Sequence, residues 1–359
     1  MAKNYTVVVA GGGTAGHIEP ALAVADELAA EFGVRVVALG TERGLEKELV
    51  PARGYELKLI DPVPVPRKVG PALFKLPFRV VGALRQTRRV LRETHADAVV
   101  GFGGYVSAPA YLAARSLGLP FFVHEANARA GLANKLGVWL GGTGLNAVSG
   151  SGMRGDVVGV PVRRSLAAAQ PEEHAAAARE KWGLREGVPT VLVTGGSQGA
   201  RSLNTAIEAA APQLVESDYQ ILHAYGKKNQ PPAQLEGHVA VPYIDTMDLA
   251  YAVADLVVCR AGAMTVAEVT AAGLPALYVP LPHGNGEQAL NARPVIAAGG
   301  ATMLNDADLS GQVLADRVRS ILGDEDVRQS MVAATKASGL GQAAQVIATR
   351  VNDALHERK

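Results

Sequence analysis

The chain has 359 residues, 48% of them hydrophobic, with 35 Lys and Arg against 34 Asp and Glu. That length can build two domains with cores of their own, and a net charge of +1 lacks the basic excess of a nucleic-acid binder, so no nucleic-acid partner is expected. The single cysteine, Cys259, rules out an internal disulfide, and no stretch reads as a signal-peptide core or a transmembrane span.

Thr6–Ala10 reads as a buried strand running into GGGTAGH, followed by a helix over Pro20–Glu31 with Ala21, Leu22, Val24, Ala25 and Leu28 at helical spacing. Gly11-x-Gly13-x-x-Gly16 is formally a dinucleotide fingerprint, and Glu42 after the second strand could supply its acidic residue. The rival reading is a turn whose glycines let backbone approach a polyphosphate or a sugar, with His17 placed to move a proton near neutral pH. A His17 that merely bonds a carbonyl at the helix start stays open. From Arg67 to Arg92 there are eight Lys and Arg and no acidic residue, interleaved with Leu73, Phe74, Leu76, Phe78, Val80, Val81 and Leu84. This is an amphipathic helix packed on its own domain, or a surface for anionic lipid, or both. His124-Glu125-Ala126-Asn127 closes another buried strand, where His124 is either a contact or a core histidine.

Arg163 follows Gly159-Val160-Pro161-Val162 at the expected hinge, well placed to neutralise a diphosphate. A helix is expected over Ala167–Lys181. Thr190–Thr194 then repeats the opening plan, running into GGSQGA, where Ser197 caps a helix or bonds a phosphate. Ala254–Pro294 reads as a nucleotide-sugar pocket: strand Leu256–Cys259, a small-residue turn, helix Thr265–Ala272 and strand Ala276–Val279. Backbone N–H groups of the turn Ala261–Thr265, which opens the helix, favour phosphate, Glu268 lies within reach of a ribose, and His283, Asn285, Glu287, Gln288 and Asn291 stand at the mouth. No His/Cys/Asp spacing suggests a metal site, and no cofactor is expected.

Three landmarks recur in order: strand then Gly-rich turn, Ala96-Asp97 against Ala254-Asp255, and Gly118-Leu119-Pro120 against Gly273-Leu274-Pro275. They imply two similar α/β halves with parallel sheets, binding ligands at the strands' carboxyl ends across a shared cleft. The expected division is 1–161, 162–342, and a last helix within 343–359 that could return to the first half.

The motifs GGGTAGHIEPALAVADEL, GTERGLEKELV, GFGGYVSAPAYLAA, HEANARAGLANK, GVPVR, GGSQGARSLN, YIDTM, RAGAMTVAEVTAAGLPALYVPLP and GEQALNA, in this order, resemble the MurG family. The resemblance implies two Rossmann-like domains (the GT-B glycosyltransferase fold). It implies inverting, metal-independent transfer of N-acetylglucosamine from UDP-N-acetylglucosamine to undecaprenyl-linked lipid I, giving lipid II at the cytoplasmic face of the cell membrane. It implies Thr14, Ala15, Gly16 and Asn127 against the donor's sugar and phosphates, and Arg163 and Ser197 on the diphosphate. Ile244 would lie on uracil, Ala263, Met264, Thr265, Val266, Ala267 and Glu268 on phosphate and ribose, and Gln288 on the sugar hydroxyls. His17 is the candidate base, with His124 and Glu125 behind it. Two departures from the family's pattern are Ala15, where a glycine is usual, and Glu287, where a glutamine is common. Other readings are a nucleotide-dependent oxidoreductase, a UDP-sugar transferase with a different acceptor, and a non-catalytic scaffold.

Overall fold

The computed structural model describes residues 4–42, 44–63, 71–167, 171–196, 198–282, 286–337 and 342–357. It divides into two compact units, residues 1–164 with 342–359, and residues 165–341.

The first unit runs β1 (Thr6–Gly11), α1 (Ala15–Phe32), β2 (Arg35–Gly40), α2 (Glu46–Ala52), β3 (Glu56–Leu59), α3 (Pro71–Glu93), β4 (Ala98–Gly103), α4 (Ser107–Leu117), β5 (Phe121–Glu125), α5 (Leu132–Trp139), β6 (Thr143–Asn146) and β7 (Asp156–Val157). Its sheet is parallel, ordered β3-β2-β1-β4-β5-β6-β7. The order reverses direction between β1 and β4, the switch point where open α/β sheets bind ligands. β1, β4 and β5 are buried along their whole length, which explains their unbroken apolar runs.

The second unit follows α6 (Arg164–Ala167) with α7 (Pro171–Trp182), β8 (Thr190–Thr194), α8 (Arg201–Glu216), β9 (Gln220–Ala224), β10 (His238–Val241), α9 (Met247–Val253), β11 (Leu256–Cys259), α10 (Ala263–Ala271), β12 (Ala276–Tyr278), α11 (Glu287–Ala297), β13 (Ala301–Met303), α12 (Gly311–Leu322) and α13 (Glu325–Ala337). Its parallel sheet is ordered β10-β9-β8-β11-β12-β13, with the reversal between β8 and β11. The last helix, α14 (Ala343–His356), belongs to the first unit, where Ile347, Ala348 and Val351 are buried in the same cluster as Val24 and Leu28 of α1.

The repeated landmarks have a physical basis. Asp97 accepts a hydrogen bond from the Thr6 N–H at 2.9 Å, and Asp255 accepts from the Thr190 N–H at 2.8 Å. Each aspartate thus joins the start of its unit's central strand to the start of the neighbouring one. Gly118 (φ 68°) and Gly273 (φ 72°) end the preceding helices in the left-handed conformation, which glycine adopts without strain.

In the first half of the chain and at its hinge, helix boundaries differ from the sequence expectation. Helix α1 begins at Ala15 rather than Pro20, so Pro20 lies inside it and His17 sits in its first turn. The expected helix over Ala167–Lys181 is described as α6 and α7, with residues 168–170 outside the described set.

Buried histidines tie stability to pH. His124 is fully buried, and burial pushes its pKa down to about 4. His223 stacks on His238 with ring centroids 5.5 Å apart; burial first and the neighbouring imidazole second push it to about 4. Both lie below the ordinary value of 6.5, so above pH 6.5 folded and unfolded chains alike carry them neutral. As pH falls from 6.5 toward 4 the unfolded chain takes up protons that the folded chain refuses, costing roughly 1.4 kcal/mol per pH unit for each histidine. Urea unfolding of wild type and His223→Gln across this window should show the stability difference moving against the wild type at about that slope. Parallel pH profiles would contradict a neutral buried His223.

Candidate active site

In the first unit the chain leaves β1 through Gly11–Thr14 and enters α1. A β-carbon on Gly11 would stand 2.3 Å from the His17 carbonyl oxygen, so the strand-to-helix corner requires glycine there. His17 Nδ1 is 3.2 Å from Thr14 Oγ1. Its ring lies over Gly103 (φ 98°), where a β-carbon would stand 3.0 Å from Nε2. Burial lowers the His17 pKa, while the Glu125 charge and a hydrogen bond involving the Gly12 backbone partly oppose the shift. The result is an imidazole that stays neutral at neutral pH beside the strand edge. Ala15 is the first residue of α1.

His124 and Glu125, the sequence's second choices as base, are turned to structural tasks. His124 Nε2 bonds the Gly159 carbonyl at 2.9 Å, its ring packs on Phe102, and it is wholly buried. Glu125 is buried as a fastener. Its Oε1 accepts from the Asn127 N–H (2.9 Å) and Nδ2 (3.2 Å), and its Oε2 from the Gly131 N–H and Asn134 Nδ2 (both 2.9 Å). Asn134 also accepts from the Tyr111 hydroxyl at 2.9 Å and donates to the His124 carbonyl at 3.0 Å. Asn127 therefore lies folded back on Glu125 at the start of this loop. Arg163 forms a two-pronged pair with Glu19 of α1, its Nε 3.0 Å and Nη2 2.7 Å from the carboxylate.

Sequence reasoning missed Glu46. It is wholly buried, and its Oε1 accepts from the Thr41 N–H (2.7 Å) and hydroxyl (2.8 Å) while Oε2 accepts from the Gly13 N–H (3.1 Å). Those donors hold its pKa below the usual carboxylate range despite burial. Glu42, proposed for a dinucleotide ribose, is exposed beyond the end of β2; the acid at this corner is Glu46, already committed to backbone. The pattern Gly-x-x-x-x-x-Glu from Gly40 to Glu46 was present in the sequence, but the partner of Glu46 is 33 positions away.

The second unit holds a pocket of about 130 Å³ at the carboxyl ends of β8, β9 and β10. Thr194, Gly196, Ala224, Pro242, Tyr243, Ile244, Met247, Tyr251, Thr265 and Glu268 line it. Ile244, Thr265 and Glu268 are thereby brought together from β10's exit and α10. Tyr251, which the sequence gave no reason to select, donates its hydroxyl to Glu268 Oε2 at 3.1 Å. Helix α10 starts at Ala263, two residues earlier than expected, behind an N-cap Gly262 that has no side chain to cap it. The N–H groups of Ala263, Met264 and Thr265 thus have no acceptor within the helix. Val266 and Ala267 differ: the Val266 N–H donates to the Gly262 carbonyl at 2.9 Å, and both side chains are buried. Any contact through those two positions would have to come from backbone, and Val266's N–H is committed.

Gln288 Oε1 accepts from the Leu281 N–H at 2.8 Å, closing the loop before α11. Asn291, expected at the mouth, is buried and donates to the Ala261 carbonyl at 3.2 Å, steadying the turn into α10. Beside it Arg260 reaches the Val279 carbonyl (3.0 Å), Asp306 (2.6 Å) and the Ser202 hydroxyl (2.7 Å), tying β11, β12 and α8 together. Cys259 is buried, and burial pushes its thiol pKa up, consistent with a small apolar residue. Ser197, His283 and Asn285 lie outside the described residues.

Comparison with known proteins follows the same division. The glycosyltransferase family 28 N-terminal domain matches residues 7–141, and the glycosyltransferase family 28 C-terminal domain matches residues 190–347. The UDP-N-acetylglucosamine–N-acetylmuramyl-(pentapeptide) pyrophosphoryl-undecaprenol N-acetylglucosamine transferase of Corynebacterium glutamicum strain R is 64% identical over 345 residues, covering 96% of this chain and 97% of that one. The protein of the same name from Mycolicibacterium smegmatis is 56% identical, covering 96% of this chain and 93% of that one. Among solved structures, Acinetobacter baumannii MurG superposes with a TM-score of 0.76 at 30% identity, covering 98% of this chain and 100% of that one. The calicheamicin glycosyltransferase CalG4, at 20% identity and a TM-score of 0.67 over 99% of each chain, shares the fold. With both family 28 domains present, and more than half of its residues shared with these transferases over nearly its full length, the chain belongs to the MurG family of GT-B glycosyltransferases.

Proposed function

We propose that this chain transfers N-acetylglucosamine from UDP-N-acetylglucosamine to the muramyl 4-hydroxyl of undecaprenyl-diphosphate-linked N-acetylmuramyl-pentapeptide (lipid I), giving lipid II with inversion and without a metal ion. The observation that carries this reading is the second unit's pocket, where Ile244, Thr265 and Glu268 meet at the strand edge beside an uncapped helix start. The names of the Corynebacterium and Mycolicibacterium relatives supply the same donor and acceptor.

The donor belongs to the second unit. Uracil lies against Ile244, Glu268 accepts from the ribose hydroxyls, and the diphosphate meets the N–H groups of Ala263, Met264 and Thr265, with Ser197 and Arg163 adding to its neutralisation. Gln288 offers its amide to sugar hydroxyls. The acceptor belongs to the first unit, where Thr14, Ala15, Gly16 and Asn127 are the residues assigned to the donor's sugar and phosphates. His17 takes the proton of the attacking hydroxyl as oxygen adds to the anomeric carbon from the side opposite the departing UDP. That direction of attack inverts the centre. Negative charge gathers on UDP, and fixed N–H groups meet it without reorganising.

A neutral imidazole suits the base role, since only that form accepts a proton. His17→Ala should lower kcat by roughly 10²–10⁴-fold with the KM for UDP-N-acetylglucosamine little changed. UDP release with lipid I as acceptor measures both, and unchanged turnover removes His17 from the mechanism. Because the His17 pKa lies below 6.5, the wild-type acid limb should fall below that pH, where protonation blocks the base. Glu268→Ala should raise the Kd for UDP roughly tenfold, consistent with loss of hydrogen bonds to a charged group; calorimetry reads it, and an unaltered Kd refutes the ribose contact.

The membrane part of the reading rests on α3. Ala83, Thr87, Val90 and Leu91 are buried against the first unit, while Phe78 (81% exposed), Arg79, Val81, Arg85, Arg89 and Arg92 face solvent. Arg67 and Lys68 lie outside the described residues. No described helix is long and apolar enough to cross a membrane. The chain then sits peripherally on the cytoplasmic face, with apolar side chains among headgroups and arginines on phosphates. Replacing Arg85, Arg88 and Arg89 by Glu should release it from vesicles containing anionic lipid; undiminished sedimentation with those vesicles rejects the patch.

A further inference from the structure

The two Gly-rich turns look alike in sequence but are supported differently, one by a carboxylate and the other by neutral groups. In the first unit the turn rests on the buried Glu46 carboxylate, which takes the Gly13 N–H for itself. Three glycines make room for it: a β-carbon would stand 3.0 Å from Glu46 Oε1 at Gly12, 2.4 Å from its Cγ at Gly40, and 1.8 Å from its Oε2 at Gly44. Among the described residues no cation pairs with Glu46. Its ionised form is held by neutral donors, so its negative charge stays uncompensated beneath the turn. Glu125, on the neighbouring loop, likewise takes the Asn127 and Gly131 N–H groups.

In the second unit the Gly196 N–H meets the neutral Thr194 hydroxyl at 3.1 Å. The turn's other support is also neutral: Asn229 Nδ2 donates to the Gln198 carbonyl at 3.0 Å. The nearest acid at that helix start, Asp306, bonds Ser202 and is neutralised by Arg260 at 2.6 Å.

We propose that Glu46 determines what the first turn accepts: its buried charge and its hold on Gly13 exclude a phosphate from Gly13–Gly16 and reserve that turn for an uncharged sugar. A helix N-terminus attracts an anion by a fraction of a unit charge, and a full negative charge fixed behind it outweighs that pull in a low-dielectric corner. The proposal rests on the reading of the first unit as the acceptor side, and it selects the sugar over the phosphates for Thr14–Gly16. In the second unit the described supports of the turn, Thr194 and Asn229, are neutral, and that turn is left to the donor's diphosphate.

The test uses inorganic pyrophosphate with the full chain. Wild type should bind it at a single site from which UDP displaces it, and soaked crystals should show no anion at Gly13–Gly16. Glu46→Gln should acquire a second site that UDP does not empty, binding pyrophosphate roughly tenfold or more tighter than the same place in wild type, as expected for removal of one nearby charge. Thr41→Val, which keeps the carboxylate and its bond to Gly13, should behave as wild type. An anion on the first turn of wild-type crystals overturns the proposal, and so does a folded Glu46→Gln protein with only the UDP-displaceable site. Should Glu46→Gln fail to fold, the wild-type crystals decide alone. None of these readouts needs turnover, so failure of the His17 mechanism and failure of this assignment are separable.

Discussion

The structure depends on one junction, made twice: the carboxyl end of a parallel strand meeting the amino end of the next helix. A helix start leaves N–H groups without partners, and a strand end beside a switch point leaves room above them. In both units the central strand, β1 or β8, and its neighbour, β4 or β11, deliver such junctions to the same edge. Glycine makes them possible, because Gly11 and Gly195 sit where a β-carbon would collide with the helix behind, 2.3 Å from the His17 carbonyl and 2.2 Å from the Ala200 nitrogen.

What separates the units is the wiring under that common frame. The first unit's edge is held from below by buried acceptors, Glu46 and Glu125, which draw in backbone N–H groups, and the Glu125 charge acts on His17. A buried carboxylate is tolerable only with several donors, and each of these two has at least three. The second unit's edge is held by the donors Arg260, Asn229 and Asn291, each of which reaches a backbone carbonyl, Arg260 also bonding Asp306 and the Ser202 hydroxyl. On the proposed reading, the first unit would supply a proton acceptor and the second an anion seat, the division of labour that sugar transfer from a nucleotide diphosphate needs.

Much of this was legible in the chain. Strands buried on both faces must be continuous apolar runs, so the strands that carry the two edges stood out. The paired aspartates and Gly-Leu-Pro corners marked the repeat because each does the same local task in its half. Helix starts were less legible. Pro20 pointed to a beginning that lies five residues earlier at Ala15, and α10 opens behind a glycine that carries no capping side chain. His124 was ambiguous because a strand-end residue points either into the layer of helices or out at the edge, and one position decides which.

The sequence by itself determined the two α/β halves, the edge on which each binds, and the presence there of His17 and of the turn before Glu268. Only the tertiary structure decided which polar groups remain for chemistry and which are consumed in holding the frame. Glu46 reaches Gly13 across 33 positions and Arg163 reaches Glu19 across 144. A hydrogen bond is satisfied by whatever group the fold brings within about 3 Å, and nothing in local pattern or propensity records that partner.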